Sequence, residues 1–370
     1  MGTLPPTLPT VELAGDLLGE PLTAGAHLGG SQRSLVLRCT RTDGTSVVVK
    51  AYPADGRTSF LRERTGLREI PGTPRLLGAD HAERVLVMED LGSAPTLADL
   101  LLGEDRDAAW AGARTWAHAL GALLGGTRGA ARRVAAELDG AGLHDADTPA
   151  ALSTGLARLT ALGDGTTGLP PAPREAALAR DTQTLLAALD RDVALAHGLA
   201  AVTPGDTCPD NAMRTPHGWR FLDAEGATVQ HVALDAAYTL LPFATCWCVF
   251  DPPPGLADDL LAGFERGLDE PGLTSSDAWR PMLDAACGAW VLAMTGWLVD
   301  GALEDRPRIG PAGLPSPTYR QLVATRWAWT AERVASTLPA VADACARGAA
   351  WARRTWGEDA LRLAPYPALG

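Results

Sequence analysis

The chain of 370 residues is 46% hydrophobic, 21% charged and 5% aromatic, which excludes a disordered or fibrous polypeptide and allows one large or two modest domains with a sizeable core. A net charge of −12 argues against a broad basic face for nucleic acid and favours a neutral or cationic partner. No signal or transit peptide is visible ahead of Arg33, and six cysteines without a C-x-x-C spacing read as the reduced thiols of a cytoplasmic protein. The histidines form no H-E-x-x-H or H-x-x-x-H pair, so a metal is expected to arrive with a phosphate ligand rather than in a nitrogen or sulfur site.

In chain order, Gly29-Gly30-Ser31 forms a flexible turn into a first strand at Leu35-Val36-Leu37. A second follows at Val47-Val48-Val49, and the intervening Asp43-Gly44 is a hairpin signal. Lys50 closes that second strand and is the single lysine of the chain, against 31 arginines. A chain that uses arginine for every other cation marks Lys50 for a task needing a compact point charge, the alternative being a strand-end cation with no special task. A helix is expected over Thr58–Glu69 with Ser59 as its cap, stopped by Pro71, Gly72 and Pro74. Strands at Arg75–Leu77 and Arg84–Met88 lead into the connector Asp90–Pro95. This marks a boundary between a small β-rich part, 1–92, and a mainly helical body, 93–370.

Helical periodicity runs over Leu97–Leu102, Asp107–Leu124, Arg128–Leu138, Arg174–Leu195, Leu256–Leu268, Ala278–Val299, Tyr319–Ser336 and Ala340–Trp356. A Gly/Thr/Pro-rich loop is expected from Gly163 to Pro173. The longest apolar run, Ala285–Val299, is short of the ~18–20 residues of a membrane span and reads as a buried helix.

One β island interrupts the helices, Asn211–Arg214 and Trp219–Asp223 around the turn Thr215-Pro216-His217-Gly218. Centring the turn on His217 sets Asn211 opposite Asp223, bringing two oxygen ligands together. Asp206 lies five residues before Asn211. Oxygen donors suit a hard cation such as Mg²⁺, and a separate carboxylate can orient an attacking hydroxyl, so the spacing suits phosphoryl transfer. An ordinary Asp/Asn/Gly/Pro loop is the alternative.

A Gly-containing turn, a strand ending VVVK, a helix with Glu63, a VLVMED strand into a connector, and D-x4-N before LDAEGA occur in the order of the protein-kinase signature set. In these segments, over roughly residues 20 to 240, the chain resembles the aminoglycoside phosphotransferase and choline-kinase-like family. PGDTCPDN and DAEGA match the family's His-Gly-Asp…Asn and Asp-x-Glu pattern except at the His, which is Pro204 here.

The resemblance implies an α+β, bilobal protein-kinase-like fold, with a small antiparallel-sheet N-lobe (1–92) and a larger mainly helical C-lobe (93–370) carrying the catalytic loop 203–211. It implies ATP and Mg²⁺ bound between the lobes. Lys50 would contact the α/β phosphates and pair with Glu63, with Glu69 the alternative partner. Met88 would line the adenine slot or simply pack in the core, and the backbone of Glu89 and Leu91 would bond the base. Gly29, Gly30 and Ser31 would cover the phosphates or be no more than a tight turn. Asp206 would be the catalytic base, Asn211 and Asp223 the Mg²⁺ ligands, and Asp235 a brace for the catalytic loop or a helix cap. Cys208 reads as a small packed side chain.

Between Asp251 and Asp305 lie eleven acids against Arg266 and Arg280, and nine of the eleven tryptophans fall at or after Trp219. In the resembled family this region walls the acceptor, and an acidic wall would attract an amine-bearing molecule, the alternative being a solvated helical face. The expected activity is transfer of the γ-phosphoryl group of ATP to a hydroxyl of a small molecule, an amine-bearing antibiotic or natural-product intermediate among the candidates. A kinase acting on peptide Ser/Thr and a catalytically weak ATP-binding scaffold, the latter suggested by Pro204, are the alternatives. Neither nucleic acid nor a membrane is expected as a partner.

Overall fold

The computed structural model describes residues 4–29, 33–143, 147–163, 171–243, 246–311 and 313–370. Gly30, Ser31 and most of the loop expected from Gly163 to Pro173 lie outside the described residues. The first elements are α1 (Thr7–Leu18), β1 (Thr23–His27), β2 (Leu35–Thr40), β3 (Ser46–Ala51), α2 (Arg57–Glu69), β4 (Leu76–Asp80) and β5 (Val85–Glu89). Then come α3 (Leu97–Leu102), α4 (Arg106–Thr127), α5 (Ala131–Gly140), α6 (Asp147–Gly163), α7 (Pro171–Leu189) and α8 (Arg191–Ala196). A short β region follows, β6 (Ala200–Thr203), β7 (Ala212–Thr215), β8 (Gly218–Phe221) and β9 (Thr228–His231). The chain ends in α9 (Val232–Leu240), α10 (Leu256–Leu268), α11 (Pro271–Thr274), α12 (Trp279–Leu303), α13 (Tyr319–Arg333) and α14 (Pro339–Trp356). A small antiparallel sheet region thus precedes a larger, mainly helical part, as expected from the sequence.

Two compact units are present, and neither is continuous in sequence. The first comprises Met1–Thr96, Gly126–His144 and Val202–Val229; the second comprises Leu97–Gly125, Asp145–Ala201 and Gln230–Gly370.

The first unit is built on a five-stranded antiparallel sheet in the order β1-β2-β3-β5-β4. Asp43 and Gly44 make the β2–β3 turn, with Gly44 at φ +83° and the Asp43 carboxylate accepting from the Thr45 N–H and hydroxyl. Alternation along β3 then sorts its side chains to two faces. Val47, Val49 and Ala51 join Leu35, Leu37, Val85 and Val87 against Val11 and Ala14 of α1. On the other face Val48 packs with Tyr52, Leu86, Met88 and, from α2, Phe60 and Leu67. Each such aliphatic side chain contributes about 1.5–3 kcal/mol on full burial. Helix α2 begins one residue earlier than expected, with Gly56 and not Ser59 at its N-cap and no side-chain cap bond. The Tyr52 and Phe60 packing on the sheet supplies what the missing cap does not.

In the second unit α12 packs against α6, α7, α9 and α13, and α14 packs on α13 and α6. By length and composition α12 is apolar enough to cross a membrane, yet 72% of its apolar window is buried within the protein. The apolar run read from the sequence is therefore the middle of a core helix.

Candidate active site

Lys50 lies on β3 on the face that meets α2, because it alternates with Val49 and Ala51. Its ammonium is buried among three carboxylates: Glu63 Oε2 at 2.9 Å, Asp223 Oδ1 at 3.1 Å and Glu225 Oε2 at 3.6 Å. Burial works against its charge, but Glu63, Asp223 and Glu225 outweigh it and hold the lysine above its usual range. Glu63, on α2, is fully buried, and burial pushes its carboxyl up to about 7 against the opposing pull of Lys50. Of the two partners expected for Lys50, Glu63 is the one in contact. Glu69 instead accepts from Arg133 and Arg68, and these bonds draw it down to about 2.

Three devices hold α2 where Glu63 can reach. Arg62 donates to the carbonyls of Ala227 and Leu143, each at 2.9 Å. Gly66 sits where a Cβ would come within 2.6 Å of the Ala224 Cβ and 2.9 Å of the Ala227 Cβ, so the helix lies directly on the 224–227 loop. Arg64, Arg68 and Thr65 reach Glu137 of α5.

The loop expected to be catalytic follows β6. Thr203 is buried and its hydroxyl accepts from the Gly205 N–H at 3.3 Å; the Asp206 carboxylate accepts from the Cys208 N–H at 3.2 Å. Asp206 is exposed at the surface. The protein packed around it nevertheless raises its carboxyl above the usual range; Asp223 and Asp210 add to this, and the bonds from Cys208 oppose it. Pro204, buried where the resemblance implies a histidine, has its carbonyl beside Gly226.

Gly205 has φ +82°, and a Cβ on it would fall 2.2 Å from the Gly226 carbonyl oxygen. The Asp206 loop and the Asp223 loop therefore touch backbone to backbone at a point only glycine allows. Gly205→Ala should lower stability by roughly 2–4 kcal/mol, from the left-handed backbone and the overlap together. Urea unfolding of the variant measures it, and a loss below 1 kcal/mol would contradict this account of the loop.

The hairpin register differs from the expected one by a residue. Thr215 pairs with Gly218 and Ala212 with Phe221, while the Leu222 N–H donates to the Asn211 carbonyl at 2.8 Å. Asn211 therefore faces Leu222 rather than Asp223. The cause is the turn: the Thr215 hydroxyl accepts from the His217 N–H and donates to the Gly218 carbonyl, closing a two-residue loop of Pro216 and His217. Asn211 lies in the 3₁₀ turn Pro209–Asn211 and Asp223 in the segment after β8, beside the Glu225 N–H that it accepts at 3.1 Å. Asn211, Asp223 and Glu225 present an amide oxygen and carboxylates, the hard donors that suit Mg²⁺.

The other expected residues are placed as follows. Met88 is buried in the Tyr52–Phe60–Leu67–Leu86 cluster. The Glu89 N–H donates to the Arg75 carbonyl at 2.9 Å, and its carboxylate is held by Arg220. Leu91 is half-buried in the connector after β5. Gly29, at φ +94°, follows β1 and is exposed. Asp235 belongs to the second unit, in the first turn of α9, where it accepts from Gln230 at 2.9 Å. It is not the helix cap: His231 is, its Nδ1 accepting from the Ala233 N–H, because the strand β9 ends one residue before the helix. Sequence reasoning missed Tyr52, whose hydroxyl donates to Glu63, and passed over Glu225, which also meets Arg33 at 3.3 Å.

No family model and no curated protein matches the chain. Solved structures do. A choline/ethanolamine kinase family protein from Mesorhizobium loti superposes with a TM-score of 0.50 at 16% identity, over 92% of this chain and 95% of that one. A macrolide 2'-phosphotransferase from Brachybacterium faecium gives 0.46 at 16% identity, over 79% and 92%. A choline kinase from Cryptosporidium parvum gives 0.45 at 9% identity, over 92% and 91%. The site is thus carried by a protein-kinase-like fold, with a small antiparallel sheet and a larger helical part, the fold shared with the Mesorhizobium loti protein.

Proposed function

We propose that the protein transfers the γ-phosphoryl group of ATP to a hydroxyl of a small molecule. The observation that carries this reading is the gathering, within one compact unit, of the chain's single lysine, its buried partner Glu63, the oxygen donors Asn211 and Asp223, and the solvent-facing Asp206. Lys50 holds the nucleotide phosphates with a charge that Glu63 keeps in place. Asp206 orients the acceptor hydroxyl and takes its proton; its raised carboxyl makes it a stronger base than an ordinary aspartate. Asn211 and Asp223 would hold Mg²⁺, which supplies charge neutralisation on the transferring phosphates.

The loop geometry favours an enzyme over an inert scaffold. The family histidine is absent, but Thr203, Gly205 and the Cys208 N–H fix the turn that presents Asp206. For the acceptor, six of the eleven acids in the acidic stretch already have side-chain partners, although Asp300, Glu304 and Asp305 stay exposed. Asp284 is bound by Arg333 and Thr337, Asp300 by Arg158, Glu304 by Arg306 and Asp305 by Arg320, while Asp259 and Glu265 accept from Trp110 and Trp279. All six cysteines are free thiols, which supports a cytoplasmic setting.

Calorimetric titration with ATP, with and without Mg²⁺, tests the assignment. Mg²⁺ should tighten binding in the wild type, and Asp223→Asn should lose most of that gain, at least ten-fold. An unchanged metal dependence in Asp223→Asn would remove Asp223 from the metal site.

A further inference from the structure

Tyr52 lies two residues beyond Lys50, and by strand alternation on the same side of the chain. It is fully buried among Phe60, Leu67, Leu86 and Met88, a place where phenylalanine would serve as well for packing alone. Its hydroxyl instead donates to Glu63 Oε2, the same oxygen that Lys50 Nζ meets at 2.9 Å. Lys50 Nζ also lies 5.3 Å from the centre of the Tyr52 ring. The other oxygen, Glu63 Oε1, is buried and has no hydrogen-bond partner among the described residues. Two donors therefore converge on one oxygen of a carboxylate that could otherwise turn about its bond.

From these contacts we infer that Tyr52 is a positioning residue of the phosphotransfer site. Its hydroxyl fixes the oxygen that Glu63 presents and its ring flanks the ammonium, so that Lys50 points to the nucleotide phosphates. The inference rests on the proposal that Lys50 holds those phosphates. The need for such a device is visible in the rivals. Asp223 at 3.1 Å and Glu225 at 3.6 Å both compete for the ammonium, and a lysine drawn wholly onto Asp223 would occupy a carboxylate needed elsewhere. The charged and titratable groups facing Glu63 and its lysine are Lys50 from β3, Tyr52 just past its end, and Asp223 and Glu225 from the segment after β8. A buried hydroxyl is costly without a partner, and a hydrogen bond to a charged group is among the stronger ones, so this contact outweighs plain packing.

The test uses Tyr52→Phe, which keeps the ring and removes the hydroxyl. Because Lys50 is the single lysine, isotopic labelling of lysine gives one side-chain NMR signal. The variant should shift and broaden that signal, weaken ATP·Mg²⁺ binding roughly 5- to 30-fold and raise the KM for ATP by the same factor, with the acceptor KM unchanged. Glu63→Gln should move the lysine signal in the same direction, and adding Tyr52→Phe to it should have little further effect, the signature of two residues acting through one contact. An unchanged lysine signal with wild-type ATP affinity in Tyr52→Phe overturns the inference, as do fully additive effects in the double variant. A thermal melt shows whether each variant is folded; should Tyr52→Phe not fold, Glu63→Gln with an unmoved lysine signal overturns the inference on its own. A lysine signal that responds to Tyr52→Phe in a protein that binds no ATP retires the phosphotransfer reading while leaving the hold of Tyr52 on Lys50 established.

Discussion

Asp206→Asn should reduce turnover by about 10²–10⁴ while leaving ATP·Mg²⁺ binding within a few-fold of wild type. The amide keeps the shape of the loop and the bond from the Cys208 N–H, so the structure of the turn is preserved. What it removes is the ability to accept the hydroxyl proton, and that ability exists because Asp206 is exposed and carries a raised carboxyl. Product formed at saturating ATP and acceptor gives kcat, and calorimetry gives the nucleotide affinity. Equal loss of both would assign Asp206 to binding rather than to proton transfer.

Replacement of Lys50 should act on the other side of the reaction. Lys50→Met removes the charge between Glu63, Asp223 and Glu225 and should weaken ATP binding about 10- to 100-fold, the range of a hydrogen bond to a charged group. Lys50→Arg should be nearly as harmful, since the planar fork does not fit a buried point-charge site enclosed on three sides. The wild type should also show a pH dependence of sign fixed by Glu63. Burial raises this carboxyl to about 7, so it is ionised and able to hold Lys50 only above that pH. ATP affinity should therefore fall as the pH drops through about 7, and Glu63→Gln should flatten that limb. Titrations across pH 5.5 to 8.5 (roughly 1.5 units either side) read both effects. Full affinity in Lys50→Arg would show that the lone lysine has no point-charge task.

Much of this site was legible because its determinants are local. The hairpin from Leu35 to Ala51 follows from alternating apolar residues about Asp43-Gly44, and the same alternation puts Lys50 on the face that α2 covers. Phe60 and Glu63 share a helix face three residues apart, so a helix that buries Phe60 on the sheet carries Glu63 to Lys50. The β7–β8 register was not legible, because Thr215 decides it with two side-chain bonds that shift the turn by one residue. The close approaches at Gly66 and Gly205 escaped as well. Each glycine looks ordinary in its own segment, and its role comes from chain distant in sequence, Ala224 and Ala227 in one case and Gly226 in the other. For Tyr52 there was a signal: two residues past Lys50, just beyond the end of β3, it lies on the lysine's side. Helices α1, α6, α9 and α11 and strands β1, β6 and β9 were missed, α9 because its cap is a histidine.

The central claim is that this site moves a phosphoryl group, and mass spectrometry of hydroxyl-bearing acceptors incubated with the protein, ATP and Mg²⁺ tests it most directly. The account predicts an acceptor that gains the mass of one phosphoryl group with wild-type protein and does not with Asp206→Asn, although both bind ATP. Wild type and Asp206→Asn equally inert across amine-bearing, sugar and peptide acceptors, both still binding ATP, would contradict it and leave a nucleotide-binding scaffold.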